Sequence, residues 1–227
     1  MQHIPFHTTH WSVVLAAKGD DTKAKAALRE LCELYRTPIL RYIERTIRTD
    51  AHRRYGGLDA EDLTHDFLAK LLEGKMFEHL ERRQGKFRTY LLGAVRHFLS
   101  HIREYESSDR RGGGIVHLSI YGDIAQSNND AMFDRDWAAA TIEQAIASLG
   151  NSPETQMLLP HLTSELTAED RIQLATELGK SEDAVKVALH RLRKKFRQNV
   201  REQIARTVES EAEVDGELDY LIRAEFL

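Results

Sequence analysis

"LTAEDRIQLATELGKSEDAVKVALHRLRKKFRQNV", residues 166 to 200, is the stretch whose reading decides the fold. Thr167 followed by Glu169 and Asp170 marks a helix start, because a hydroxyl can accept from an orphan amide and carboxylates favour the positive end of the helix dipole. An apolar stripe at Ile172, Leu174, Ala175 and Leu178 predicts the first helix. Gly179 supplies a tight turn and Ser181 a cap for a second helix. On that helix Val185, Leu189, Leu192 and Phe196 fall at i, i+4, i+7 and i+11, a face that must be covered. Lys186, Val187, His190, Lys194 and Arg197 are left facing away from it, with Arg193 at the edge. Two short helices around a glycine turn, the second basic on its outer side, form a helix-turn-helix whose outer face suits a DNA major groove. A basic solvated helix without a DNA role is the plainer alternative for so short a pattern.

The rest of the 227 residues points to the same class. Ala, Leu, Glu, Lys and Arg are abundant, prolines number four, and an all-α fold is expected. The chain is long enough for two small helical domains, each with its own core. Residues 107–134, rich in Gly, Ser, Asn and Asp, are expected to be a flexible linker between a domain at 10–106 and one at 135–206, with 207–227 an acidic C-terminal extension. In the first domain Leu28, Leu31, Leu34 and Tyr35 recur at helical spacing, and Pro38 is expected to kink or break that helix before Ile39, Ile43 and Ile47 resume it. The single cysteine, Cys32, excludes a disulfide framework and a thiolate metal site, and a reducing cytoplasm is the expected location. The first residues lack a basic-then-apolar leader pattern, and no run approaches the roughly 20 apolar residues of a membrane span, so no membrane partner is expected.

The net charge of -4 conceals strong blocks of one sign. Between Arg82 and Arg111 eight Arg or Lys face only Glu104, Glu106 and Asp109, and between Lys186 and Arg206 eight face only Glu202. Two separate basic surfaces in an acidic chain imply polyanion contacts at two places.

One acidic block is itself a helix, "DAEDLTHDFLAKLLE", residues 59 to 73. Asp59 is its expected N-cap, with Asp62 at the third helical position and Leu58 placed to close on Leu63. Leu63, Phe67, Leu68, Leu71 and Leu72 cover one face, while Asp62, Asp66 and Glu73 line the other. The helix dipole accounts for Asp59 and Glu61 but not for Asp66 and Glu73, which lie beyond the first turn. An exposed acidic ridge suits a protein partner carrying Lys and Arg. The adjacent His65 and Asp66 raise a metal-dependent phosphohydrolase as an alternative. Neighbours on a helix point about 100° apart, though, and no further ligands are marked. His97 and His101 share a face at i and i+4 but likewise lack an evident third ligand, so no metal, cofactor or catalytic residue is expected.

From Phe87 the positions Tyr90, Leu91, Ala94, Val95, Phe98, Ile102 and Tyr105 continue an apolar face, with Arg96, His97, Ser100 and Arg103 largely opposite and His101 at the boundary. Core packing is the plain reading of these aromatics. Arg83, Lys86, Phe87 and Arg88 around Gly85 interleave charge with an aromatic ring, an arrangement suited to the phosphates and bases of a single strand.

In their order and spacing, "DAEDLTHDFLAKLL", "GKFRTYLLGAVRHFLSHIRE" and "LGKSEDAVKVALHRLRKKFR" make residues 10 to 206 resemble the extracytoplasmic-function (ECF) sigma factors, of the sigma-70 family of bacterial RNA polymerase. The resemblance implies a non-enzymatic promoter-specificity subunit that directs transcription initiation. It implies that Asp59, Glu61, Asp62 and Asp66 contact core RNA polymerase. It makes Arg83, Lys86, Phe87, Arg88, Arg96, His97, His101 and Arg103 contacts to the minus-ten element and its melted nontemplate strand. Lys186, Val187 and His190 become base contacts at the minus-thirty-five element of double-stranded promoter DNA, and Arg191, Arg193, Lys194 and Arg197 phosphate contacts. Ala188 stands where many members carry Arg, and Tyr90 replaces the usual Trp. An anti-sigma protein or a kinase is a further partner consistent with the family. The extension, with an apolar stripe at Val214, Leu218, Leu221 and Ile222, is expected either to pack on its own domain or to cover the basic recognition helix. A stand-alone helix-turn-helix regulator is the rival function.

Overall fold

The computed structural model describes residues 22–49, 58–73, 87–109 and 128–225. Among these the regular elements are helical and no strand occurs, so the all-α class is as expected. The helices are α1 (Thr22–Thr49), α2 (Ala60–Leu72), α3 (Phe87–Asp109), α4 (Asn128–Ala147), α5 (Pro153–Leu158), α6 (Ala168–Leu178), α7 (Glu182–Thr207) and α8 (Val214–Glu225). Single 3-10 turns at Leu159–His161 and Glu211–Glu213 follow α5 and precede α8. The chain forms two compact units, one of residues 1–140 with 205–227 and the other of residues 141–204.

In the first unit the centres of the apolar stripes foreseen on α1, α2 and α3 are buried, while Ile47, Leu68, Leu72, Tyr90 and Ile102 are half-buried. Leu31, Tyr35, Ile39 and Ile43 of α1 lie with Leu63, Phe67 and Leu71 of α2 and Phe87, Leu91 and Val95 of α3 among its most enclosed side chains. Edge-on ring contacts join the helices, Tyr35 to Phe87 at 5.2 Å and Tyr42 to Phe133 at 5.9 Å between centroids. Each such side chain contributes roughly 1.5–3 kcal/mol by leaving water. That total explains why α1 continues unbroken through Pro38, whose missing N–H costs about 3 kcal/mol.

Two boundaries differ from expectation. Residues 107–109 are the end of α3 and residues 128–134 the start of α4, so both ends of the expected linker are helical, and the stretch between lies outside the described residues. The first turns of α4 are built into the unit by polar groups. Asn129 accepts from Arg45 Nε (2.7 Å) and donates to Thr46 (2.8 Å), Asp136 pairs with Arg45 (2.6 Å), and Phe133 is fully enclosed. A polar run such as "NNDAMFDRD" has no apolar period to reveal this. The C-terminal extension likewise belongs to the first unit, where α8 buries Val214, Glu217 and Leu221 and engages α3 and α4. This replaces the expectation that it covers the recognition helix. Ile222, expected in the stripe of α8, is 47% exposed.

The second unit has a core of Leu149, Leu158, Leu174, Val185, Leu189 and Leu192, with Phe196 packed against it. Thr167 and Asp170 form a reciprocal capping box, and Ser181 Oγ accepts from the Ala184 amide (3.2 Å). Gly179 is left-handed at φ 62°, which lets the Lys180 amide reach back to the Ala175 carbonyl (2.9 Å) and close α6. Ile172 is 57% exposed and not part of the stripe. At 100° per residue it sits about 160° around the helix from Leu174.

Candidate functional site

The outer face of α7 follows directly from its buried face. With Val185, Leu189 and Leu192 enclosed, Lys186, Val187, His190, Arg191, Lys194 and Arg197 are all exposed, Val187 by 48%. Lys186 has only the exposed Asp183, one turn back, as a partner (3.1 Å), a pair worth little in water. His190, Arg191, Lys194 and Arg197 have no carboxylate partner among the described residues. An open groove of about 760 Å³ lies beside the helix, lined by Leu149, Leu158 and Leu192 and by both signs of charge, with Lys180 paired to Glu154 at 2.7 Å and Arg191 and Lys195 sharing the lining with Asp183.

Two cations of α7 are used internally. Arg193 donates to the backbone carbonyls of His161 (2.8 Å), Leu162 (3.1 Å) and Ser164, satisfying chain that has just left α5. Lys195 Nζ donates to the Leu149 carbonyl (3.0 Å). Arg193 is therefore half-buried and committed to the fold, not available in this conformation for the phosphate contact expected of it.

On α2 the acids stand as the periodicity requires. Asp59 caps the helix by accepting from the Glu61 amide (3.0 Å), and Asp62, Asp66 and Glu73 are exposed over the buried Leu63, Thr64, Phe67 and Leu71. Glu61 meets Arg36 of α1 at 2.7 Å, but both side chains are nearly half exposed, so an external cation can compete. Leu58 is 39% exposed and does not close on Leu63. His65 beside Asp66 is exposed, and among the described residues no three His, Cys, Asp or Glu side chains gather in a way that could hold a metal ion. Cys32 is buried, and desolvation pushes its thiol up to about 12, which keeps it protonated.

The expected DNA contacts on α3 fare differently. Arg83 and Lys86 lie outside the described residues. Phe87 is fully enclosed against Tyr35, and Arg88 is 7% exposed. Arg88 donates to Glu217 of α8 (3.2 Å) and pairs with Asp134 of α4, and its guanidinium lies between the rings of Trp137 (4.8 Å) and Tyr220 (4.3 Å). The Tyr220 hydroxyl donates to the other oxygen of Asp134. Burial pulls the Arg88 pKa down, but the Glu217 and Asp134 carboxylates more than reverse this, so it stays charged. Arg96 pairs with the buried Asp130 and is likewise drawn inward. His97 and Arg103 are half-buried and His101 is exposed. In this conformation neither Phe87 nor Arg88 is presented to a ligand, contrary to expectation.

A family model described as ECF sigma factor matches residues 11–202. The chain belongs to the ECF sigma factor family. No curated protein and no solved structure matches it. ECF sigma factors are non-enzymatic transcription factors that act in initiation, binding core RNA polymerase, promoter DNA and anti-sigma factors. No helix among the described residues is long and apolar enough to cross a membrane.

The partners of Arg88 were missed by sequence reasoning, and one signal for them existed. In α8 the buried positions Val214, Glu217 and Leu221 fall at i, i+3 and i+7, so an acid stands inside an apolar stripe. A carboxylate at such a position must meet a cation.

Proposed function

We propose that this ECF sigma factor selects promoters through two DNA-facing helices and docks on the polymerase through the acidic ridge of α2. On α7, Lys186, Val187 and His190 reach base edges of the minus-thirty-five element, and Arg191, Lys194 and Arg197 hold phosphates on either side. On α2, Asp59, Asp62 and Asp66, with Glu61 exchanging its partner Arg36, meet basic side chains of the core enzyme. On α3, His97, His101 and Arg103, together with Arg83 and Lys86 just before it in sequence, address the minus-ten element and its melted nontemplate strand. Two DNA surfaces on one chain gain affinity by tethering. RNA synthesis itself stays with the polymerase, in the cytoplasm, where an anti-sigma protein or a kinase can act on the subunit.

The observation that carries this reading is the outer face of α7, exposed and, among the described residues, paired with an acid only at Lys186, on a helix-turn-helix whose other side forms the core of its unit. Run-off transcription with sigma-free core polymerase on genomic fragments tests it. Transcripts should appear only when the chain is added and should be lost with Lys186→Ala and His190→Ala together. A chain that neither joins the core enzyme nor starts transcripts is not a promoter-specificity subunit.

A further inference from the structure

The junction around Arg88 joins three helices that are distant in sequence. Arg88 opens α3, Asp134 and Trp137 lie on α4, and Glu217 and Tyr220 lie on α8. Its chemistry is that of a phosphate site filled from within. A guanidinium recognises carboxylate and phosphate oxygens through the same planar array of donors, and stacks on aromatic rings as it would on a base. Here Glu217 and Asp134 supply the oxygens, and Trp137 and Tyr220 the rings.

The helix that supplies Glu217 is short and buries few apolar side chains. α8 is 12 residues long and contains Gly216. Ser210, which precedes its 3-10 turn, makes no side-chain capping bond. Its buried stripe pairs only two aliphatic side chains, Val214 and Leu221, with a charge, and a buried ion pair holds less firmly than an apolar group of its size. Tyr220, on the outer side of the guanidinium, is 37% exposed. A permanent buttress would place an aliphatic residue at 217. A Glu there makes docking specific for Arg88 and open to competition by another anion.

We propose that α8 is a displaceable strap, in which Glu217 stands in for a nucleic-acid phosphate on Arg88 and must leave before the start of α3 can grip the backbone of single-stranded DNA. The proposal rests on the reading of α3 as a DNA-facing helix. In the strapped state the chain withholds one of its cations from DNA. Release opens the Glu217 side of Arg88, with Asp134 of α4 still paired on its other side and Trp137 beside it, so that a phosphate can take the place of Glu217 next to a stacking platform.

Fluorescence anisotropy of the full-length chain with a labelled 20-nucleotide oligothymidine tests this, with folding of each variant checked by circular dichroism. Tyr220→Ala, at a partly exposed position, and Glu217→Ala should each tighten binding by about tenfold. They should also steepen the slope of log affinity against log salt by about 0.7, the increment for one more single-strand phosphate contact. Replacing the charged set by Arg88→Met, Asp134→Leu and Glu217→Leu together keeps α8 docked by apolar contact. In that background Tyr220→Ala should give no gain. Unchanged or weaker binding by folded Tyr220→Ala, or an equal gain without Arg88, overturns the strap. Run-off transcription by the unaltered chain separates the two readings. If it succeeds while the strap variants bind no tighter, only the strap falls; if it fails, the promoter reading falls with it.

Discussion

α3 and α7 both carry Arg and His opposite an apolar stripe, α7 the more densely, yet the fold uses them in opposite ways. On α7, His190, Arg191, Lys194 and Arg197 are exposed and have no carboxylate partner among the described residues. On α3 Arg88 is enclosed by two carboxylates and two rings, and Arg96 by Asp130. The difference teaches that a basic stripe is a ligand surface only where the rest of the chain fails to neutralise it. Charge count along a helix does not distinguish the two cases; acids on other helices, up to 129 positions away, do.

The sharpest way to break the comparison is to remove each kind of cation and measure stability. Arg88→Ala should cost about 3–5 kcal/mol in denaturant unfolding, because it leaves the buried Glu217 and the half-buried Asp134 without their cation. Lys194→Ala should stay within about 0.5 kcal/mol of the parent. Equal costs would mean that the two helices are not used differently. Next, Asp62→Arg with Asp66→Arg should weaken core-polymerase binding about a hundredfold while leaving the melting curve unmoved, since both acids are exposed. An unaltered complex in a pull-down counts against α2 as the docking ridge. Within α7, Lys186→Ala and His190→Ala should each lose about 1–3 kcal/mol of discrimination between promoter and scrambled duplex, whereas Lys194→Ala should weaken both duplexes alike and lower the salt slope by about 1. Equal behaviour of all three would make them backbone contacts.

The smallest effect concerns the cap on which the presentation of α7 depends. Thr167→Ala should lower the melting temperature of the second unit by about 4 °C at neutral pH. Hydrogen bonds from the Thr167 hydroxyl and amide hold the Asp170 carboxyl below its usual range. Because that folded value is depressed, the contribution is fully present above the unfolded pKa and is lost as pH falls through the folded one. Parent and variant should therefore converge in acid, as thermal melts across that range would reveal.

Most of the second unit was legible because its determinants are local. Thr167, Gly179 and Ser181 mark their own boundaries, and Val185, Leu189 and Leu192 declare their face by spacing alone. The exposed acids of α2 were legible for the same reason. The exposure of Ile172 was legible too, since helical geometry already turns it away from Leu174. What could not be read was pairing at a distance. Nothing near Arg88 names Glu217, 129 positions on, and nothing near Arg96 names Asp130. The polar opening of α4 was taken for linker because buried side-chain hydrogen bonds, such as those of Asn129, leave no periodic trace.

The anchoring of Arg193 and Lys195 has a consequence for how such a subunit can change its target. Both hold α7 through main-chain oxygens, those of His161, Leu162, Ser164 and Leu149, and every amino acid supplies such an oxygen. The pitch of the helix is thus insured against drift in neighbouring side chains. With positions 186, 187 and 190 as the proposed base contacts, each can be rewritten singly in evolution, and a new promoter acquired, without the helix losing its aim.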